Sequence, residues 1–448
     1  APSKTIKMKK GLLSLIVCGF MSTVFAQQAT KQSEVNDSIL KSLSKLSTEL
    51  SNFKNLKISG WIQAQFQTAE SKGTKNFDGG DFSANTYNRF MIRRGRVKFT
   101  YTKGIGQYVL QVNATERGVN IVDLYGKITE PWLNSFSLTA GIMNRTFGYE
   151  IQQSSADRET PERARFTQIL LPNERDLGAM ITYEAPKGSK FAGFKVDAGF
   201  YNGTGIAVPG TTSLNGAGVV EFDSFKDFIG RAAYKKSFKQ DKINLGLGLS
   251  HYNGGFIYQN NRVFSSITTD GAGMKTWMLS DTTTNSFKGK KAPRVYYGAD
   301  IQFALKTKLG TTTIRAEYIM GQQAGMIDET KSPSAMPSKL DSYIRDFNGG
   351  YVYLIQRLGK SKHEIVLKYD WYDPNTNVTG ADLNGLNGMT KAELKYTMLG
   401  MGYNFYATEN VKFMVYYNLV KNELAKGLSG YTSDLKDDVF TFRMQYRF

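Results

Sequence analysis

Residues 439–448 of this chain read VFTFRMQYRF, and from Phe440 onwards apolar and polar side chains alternate without a break. The apolar positions are Phe440, Phe442, Met444, Tyr446 and Phe448, and the polar positions between them are Thr441, Arg443, Gln445 and Arg447. Successive side chains of a β-strand point to opposite faces of the sheet. The pattern therefore predicts a strand with one apolar, strongly aromatic face and one polar face.

The same alternation runs back along the chain as far as Leu56. Sixteen alternating segments begin near residues 56, 89, 106, 119, 136, 176, 192, 227, 242, 294, 311, 348, 363, 395, 410 and 438. Each is roughly ten residues long, which is the length that a tilted strand needs to cross a bilayer. The segments predict an all-β fold, a transmembrane antiparallel barrel of about sixteen strands over residues 56–448.

The connections between the segments alternate between short and long. Residues 102–105, 130–135, 187–192 and 306–310 are short connections, and residues 148–175, 202–226, 253–293, 322–345 and 374–393 are long ones. Membrane barrels have short turns on the periplasmic side and longer loops outside. A soluble β-sandwich also alternates, but here the faces opposite the apolar positions are polar on nearly every strand. The sequence therefore favours a closed barrel with a wet interior over an open sheet.

The composition excludes a helical membrane protein. Only 41% of the 448 residues are apolar, and no run of 18 or more apolar residues occurs. Aromatic residues make up 13% of the chain, and 44 Gly stand against 10 Pro, which suits short strands joined by tight turns. The net charge of +18 could indicate nucleic acid, an acidic membrane surface or a path for anions. No nucleic-acid motif accompanies it, so we predict no nucleic-acid partner.

The N-terminal residues predict export. Met8 is the expected start, followed by two lysines, an apolar core over residues 11–24 and small residues at the cleavage positions before Gln27. We predict a signal peptide over residues 1–26 that is cleaved after Ala26. Cys18 would suit a lipoprotein only if a small residue preceded it, and Val17 is not small. Cleavage removes this single cysteine, and the loss of Lys4, Lys7, Lys9 and Lys10 leaves a charge of +14.

Residues 27–55 form a separate N-terminal segment with a short helical pattern. Its apolar positions are Val35, Ile39, Leu43, Leu46, Leu50 and Phe53, spaced close to a heptad. Such a helix is too short to be stable alone in water. Two arrangements fit: a small trimeric coiled coil in the periplasm, or a helix packed against the barrel mouth. The heptad spacing favours the coiled coil.

Several stretches resemble the phosphate-selective porin family of the O/P type. The resemblance covers residues 56–448, and the order of its motifs along the chain is more specific than any one of them. The motifs are Arg93-Arg94-Gly95-Arg96, Ala140-Gly141 through Phe147-Gly148, Asn173-Glu174-Arg175-Asp176-Leu177-Gly178, Phe200-Tyr201-Asn202-Gly203 and Arg315-Ala316-Glu317-Tyr318.

This resemblance implies a homotrimeric porin of sixteen strands in the outer membrane of a Gram-negative bacterium, surrounded by membrane lipids and lipopolysaccharide. In the best-known members phosphate and related anions are preferred. It also implies that residues 148–175 fold inward and narrow the pore. The strand at 439–448 resembles the terminal aromatic strand by which the barrel-assembly machinery recognises its clients.

A pore of this kind needs fixed charge at its narrowest point, where water is scarce. Arg94, Arg96 and Lys98 alternate on the polar face of the second strand, and the apolar phase shifts at Gly95, which suggests a bulge. Selectivity for anions and a structural ladder with acidic residues are both consistent with these cations. Further candidates for lining the pore and binding anions are Arg145, Arg158, Arg163, Arg165, Arg175 and Arg231.

The predicted inward loop also carries acid. Five arginines stand against Glu150, Asp157, Glu159, Glu162, Glu174 and Asp176, a balance that suggests a transverse field rather than a dedicated phosphate path. The pair Arg315 and Glu317 suggests a salt bridge within the wall. The sequence offers no enzyme site, because its two histidines lack a catalytic setting, and it suggests no metal and no cofactor.

Two functions from different classes fit these observations. The first is a porin through which small anions or other small hydrophilic solutes diffuse, and whose lumenal Arg and Lys residues could set a preference for anions or phosphate. The second is a plugged barrel whose long loops bind a partner.

Overall fold

The computed structural model describes residues 37–45, 47, 53–206, 221–280, 286–332, 341–386 and 388–448. The predicted signal peptide, residues 1–26, lies outside the described residues. Two units are distinguished, residues 1–57 and 58–448. No helix in the described part of the chain is both long and apolar enough to cross a membrane.

In the N-terminal unit, residues 37–45 are helical. The side chains of Ile39, Leu40 and Leu43 on this helix are more than half exposed. Ile39 and Leu43 belong to the predicted heptad stripe, whereas Val35, Leu46 and Leu50 lie outside the described residues. The coiled coil therefore stays a prediction.

The described residues of the second unit contain eighteen strands. They are β1 (Leu56–Ala69), which begins in the first unit, β2 (Asn88–Lys103), β3 (Gly106–Thr115), β4 (Gly118–Thr129), β5 (Phe136–Asn144), β6 (Arg175–Glu184), β7 (Phe194–Tyr201), β8 (Asp227–Phe238), β9 (Ile243–Ile257), β10 (Val263–Thr269), β11 (Lys275–Leu279), β12 (Lys291–Thr307), β13 (Gly310–Gly325), β14 (Ser342–Arg357), β15 (His363–Asp373), β16 (Tyr396–Tyr406), β17 (Val411–Asn422) and β18 (Val439–Arg447).

Sixteen of these strands form a closed antiparallel barrel, as predicted. Each strand pairs with the next along the chain, except that β9 pairs directly with β12. The barrel closes where β18 pairs with β1, from Trp61 opposite Arg447 to Ala69 opposite Val439. The strand that closes the barrel is therefore the one at residues 439–448.

The hairpin β10–β11 was not predicted, because residues 253–293 were read as one long loop. Val263 and Phe264 of this hairpin pair in parallel with Ser342 and Tyr343 of β14. The Asp270 carboxylate accepts hydrogen bonds from the backbone N–H groups of Ala272 and Met274 and so forms the turn. The hairpin packs with other long loops around a small apolar cluster that includes Trp277 and Leu383.

The two faces of the barrel differ as the alternation predicts. On β18 the side chains of Phe442, Met444 and Tyr446 are exposed on the outside. Arg443 and Gln445 between them are buried inside the barrel. An apolar outer surface around a polar lumen is what a transmembrane barrel requires, so the barrel is of the type found in the outer membrane of Gram-negative bacteria.

Candidate pore constriction

The connection between β5 and β6, residues 145–174, folds into the lumen and touches walls on several sides. Asn404 of β16 donates a hydrogen bond to the Glu159 carbonyl oxygen at 2.9 Å, and Gln445 of β18 donates one to the Ala156 carbonyl oxygen, also at 2.9 Å. Its short helix, Arg165–Leu170, contacts β15. We call residues 145–174 the constriction loop. The resemblance implied this inward fold from the sequence.

The loop leaves the wall at Gly148, where the backbone has a positive φ of 64°. A side chain at this position would also collide with the carboxylate of Glu317 on β13. That carboxylate accepts hydrogen bonds from the backbone N–H groups of Tyr149 and Glu150, each at 3.0 Å, and from the Tyr351 hydroxyl at 2.9 Å. Glycine is therefore required both for the turn and for the approach of the loop to β13.

Glu150 is the second anchor of the loop, and its side chain is almost completely buried. Its carboxylate accepts hydrogen bonds from the Ala164 backbone N–H at 3.0 Å, from Thr167 Oγ1 at 2.7 Å and from the Tyr353 hydroxyl at 3.0 Å. The first two bonds hold the start of the short helix, and the third ties the loop to β14. Glu150 is thus engaged in positioning the loop rather than in facing a solute.

Glu162 of the constriction loop forms ion pairs with three arginines of the wall, two on β2 and one on β18. It lies 2.7 Å from Arg93 and 2.7 Å from Arg94, both on β2, and 3.2 Å from Arg443 on β18. Arg93 was not predicted, since strict alternation places it on the face opposite Arg94. Because both side chains reach Glu162, the alternation of β2 is interrupted beside Gly95, where the sequence suggested a bulge.

The constriction loop separates two water-accessible cavities. The one towards the long loops, the long-loop cavity, has a volume of about 1100 Å³, and the one towards the short turns, the short-turn cavity, about 540 Å³. Arg163 and Glu174 line both cavities and form an ion pair with each other. This pair therefore lies where the two cavities meet.

The charges that line the two cavities differ. Ten cations line the long-loop cavity against four carboxylates: Lys72, Lys75, Arg93, Arg94, Arg117, Arg163, Arg165, Lys331, Lys391 and Lys436 against Asp81, Glu162, Glu174 and Asp437. Seven line the short-turn cavity against five: Arg96, Lys98, Lys127, Arg163, Arg175, Lys195 and Arg447 against Asp123, Asp157, Glu174, Glu184 and Asp197. Both are positive, the long-loop cavity more strongly.

Most predicted site residues lie in this region. Arg94 lines the long-loop cavity, and so does Arg165, whose guanidinium lies 3.4 Å from the ring centre of Tyr396. Arg96, Lys98 and Arg175 line the short-turn cavity, where Arg175 pairs with Asp123 at 3.0 Å.

Three further predicted site residues are buried outside the two cavities. Arg158 of the loop is buried, and its guanidinium has no hydrogen-bond partner among the described residues. Arg145 is also buried and donates to the Pro172 carbonyl oxygen within the loop. Arg231 pairs with Asp300 on the wall. None of these three arginines lines either cavity, so the structure does not place them with the candidates that do.

The interpretation of Arg315 and Glu317 as a wall salt bridge was wrong. Arg315 instead holds Glu159 of the constriction loop through two hydrogen bonds of 2.7 and 2.9 Å. Glu317 is occupied by the loop backbone. The inward loop supplies partners for both side chains, which sequence spacing along one strand cannot reveal.

No family model and no curated protein matches this sequence. The fold is similar to that of OprB from Pseudomonas putida, with a TM-score of 0.56 at 11% identity over 90% of this chain and 96% of that one. The outer membrane channel DcaP of Acinetobacter baumannii gives a TM-score of 0.48 at 12% identity, covering 88% of this chain and 97% of that one. The anion-selective porin from Comamonas acidovorans gives 0.48 at 10%, covering 88% and 99%. The likeness to OprB shows a shared barrel fold.

Proposed function

We propose that this protein is an outer-membrane porin through which small hydrophilic solutes diffuse, with a preference for anions. The observation that carries the proposal is the narrowed lumen, in which two water-accessible cavities meet at Arg163 and Glu174. The long-loop cavity would face the outside of the cell and the short-turn cavity the periplasm. Fixed charge at such a constriction selects permeating ions.

The preference for anions is supported by the ion pairs that the carboxylates of the constriction loop form with arginines of the wall. Counted within the loop alone, acid and base are nearly balanced. The wall changes this balance, because Arg93, Arg94 and Arg443 surround Glu162 and Arg315 neutralises Glu159. The cations that remain give both cavities a positive excess, which attracts anions.

The finer parts of the proposal follow the family resemblance. They are a preference for phosphate among anions, a homotrimeric assembly, contact with lipopolysaccharide, and insertion by the barrel-assembly machinery through β18. The exposed aromatic side chains of β18 suit the last of these, since they lie on the outer face of the strand that closes the barrel.

Planar-bilayer recordings in a salt gradient test the proposed selectivity. We expect the wild-type protein to show a reversal potential of anion-preferring sign. The double variant Arg94→Glu with Arg96→Glu should move it towards cation preference, because four units of charge change beside the constriction. A cation-preferring wild type whose reversal potential is unchanged in the double variant would contradict the proposal. No ion conductance at all would favour the plugged barrel whose loops bind a partner.

Asp437 should make the selectivity depend on pH. This side chain lines the long-loop cavity, and its Oδ1 atom has no hydrogen-bond partner among the described residues. Burial raises the pKa of Asp437 to about 7, while nearby Arg165 opposes the rise. The carboxylate is therefore neutral in acid and charged in alkali, so the cavity is more positive at low pH.

We expect the anion preference from reversal potentials to be greater at pH 6 than at pH 8. The variant Asp437→Asn should lose the part of this dependence that is centred near pH 7. Burial raises the pKa of Asp78 only to about 6, below that of Asp437. Any pH dependence centred near pH 6 should therefore remain in the Asp437→Asn variant. An unchanged titration in Asp437→Asn would contradict the assignment.

A further inference from the structure

Four consecutive short turns of the barrel combine exposed lysines with an exposed apolar side chain. They lie at residues 187–191, 236–242, 306–309 and 358–362, and they follow one another around the rim because β9 pairs directly with β12. Together they hold nine lysines, all exposed, against one carboxylate, that of Asp241. We call these four turns the basic arc. It covers one side of the rim that faces the periplasm.

The lysines of the basic arc have few partners in the protein. The six ion pairs that lysines form among the described residues all lie elsewhere. Of the nine ammonium groups, only that of Lys362 donates a hydrogen bond within the described part of the chain, to the Ala407 carbonyl oxygen. A basic excess without internal partners attracts an acidic surface or ligand outside the protein.

Each turn of the basic arc also carries a large apolar side chain that is exposed. Phe191 is 69% exposed and Leu309 is 81% exposed, while Phe238 and Leu358 are exposed by 40% and 39%. The Lys236 ammonium lies 5.4 Å from the centre of the Phe238 ring. At a bilayer surface such apolar side chains enter the hydrocarbon, and lysines beside them extend to the headgroups. The pairing therefore indicates a lipid surface rather than a polar polymer, against which the apolar side chains would stay in water.

The other three short turns show this combination weakly or not at all. Residues 407–410 read ATEN, with no lysine and no large apolar side chain. The turn between β4 and β5 exposes Trp132 beside Glu130, whose carboxylate accepts hydrogen bonds from backbone N–H groups of the same turn. The turn between β2 and β3 has a single lysine, Lys103, beside Ile105. The rim is therefore basic mainly along β6–β15, which a uniform shell of lipid around the barrel would not require.

We propose that the basic arc binds acidic phospholipids of the inner leaflet of the outer membrane. The lysines would hold the phosphate groups, and the acyl chains would pack beside the apolar side chains of the turns. A zwitterionic headgroup carries a cation of its own that offsets the attraction to lysine, whereas phosphatidylglycerol has a net negative charge. Such binding requires that the short turns face the periplasm and does not depend on the selectivity of the pore.

Spin-labelled lipids test this assignment in phosphatidylcholine vesicles that contain the purified barrel. Electron paramagnetic resonance measures which fraction of a labelled lipid the protein immobilises. We expect the barrel to prefer labelled phosphatidylglycerol over labelled phosphatidylcholine by about three-fold or more, and the preference to weaken in roughly 1 M salt. A variant that loses one exposed lysine from each turn should lose most of the preference: Lys190→Gln, Lys239→Gln, Lys308→Gln and Lys360→Gln.

The matched control removes the same charge from lysines that line the long-loop cavity, and it should keep the lipid preference: Lys72→Gln, Lys75→Gln, Lys331→Gln and Lys391→Gln. No preference in the wild type, or equal losses in the two variants, would overturn the proposal. So would cosedimentation with purified peptidoglycan that is lost in the arc variant while its lipid preference stays, because the arc would then bind the cell wall. The lipid measurement needs no ion current, so its failure and that of the porin proposal are distinguishable.

Discussion

Replacing Glu150 by alanine is expected to raise the single-channel conductance by about two-fold or more, because the constriction loop loses the side chain that ties it to β14. The Glu150 carboxylate is buried and accepts hydrogen bonds from the Ala164 backbone N–H and from the Thr167 and Tyr353 hydroxyl groups. Alanine would leave these buried donors without an acceptor, at a cost of about 1–3 kcal/mol for each. Moving the loop away from β14 would restore their contact with water, and the lumen would widen.

Two controls separate loop release from a general loss of structure. Glu150→Gln keeps an acceptor oxygen and should conduct nearly as the wild type does. Glu393→Ala removes another buried carboxylate, one that is bonded to Arg345 and Asn375 outside the constriction loop, and should change conductance little. An unchanged conductance in a folded Glu150→Ala barrel would show that the bonds at Glu317 and Glu162 hold the loop without Glu150.

The strands could be predicted from sequence because each of them faces two different solvents. Where one face meets lipid and the other the lumen, a period-two pattern results, and all sixteen barrel segments were found this way. The start of β14 at Ser342, rather than near residue 348, shows where the signal weakens. There the strand extends into the long loops, where neither face meets lipid. The hairpin β10–β11 lies wholly in that region and was missed for the same reason.

The site was only partly predictable, because its ion pairs join distant parts of the chain. The alternation of β18 places Arg443 inside the barrel, but its partner Glu162 is 281 residues away. Arg93 was missed because the rule of alternation fails at the irregularity beside it. Arg231 was predicted to face the lumen, and the structure shows this buried side chain paired with Asp300 of the wall. The face of a strand on which a side chain lies can be inferred from periodicity. The ion-pair partner of a charged side chain cannot, because it depends on how the constriction loop folds.

Glu162→Gln is expected to raise the ratio of anion to cation permeability several-fold. Glutamine keeps nearly the same shape but leaves the guanidinium groups of Arg93, Arg94 and Arg443 without a carboxylate between them. Taking away one partner of a buried ion cluster leaves uncompensated charge in a region of low effective dielectric. Permeating anions would then supply the missing negative charge at the constriction, while cations would be repelled.

Asp157→Asn is the matched control, because it makes the same chemical change on the same loop at an exposed position. Asp157 pairs with Arg447, and both side chains are about half exposed, at 52% and 51%. Exposed pairs contribute only about 0–1 kcal/mol, so the reversal potential should move little. The effect of Glu162→Gln should also persist better than that of Asp157→Asn in roughly 1 M salt, since buried charge is screened less. Equal shifts in the two variants would contradict the expectation that the buried cluster of Glu162 with Arg93, Arg94 and Arg443 controls the selectivity.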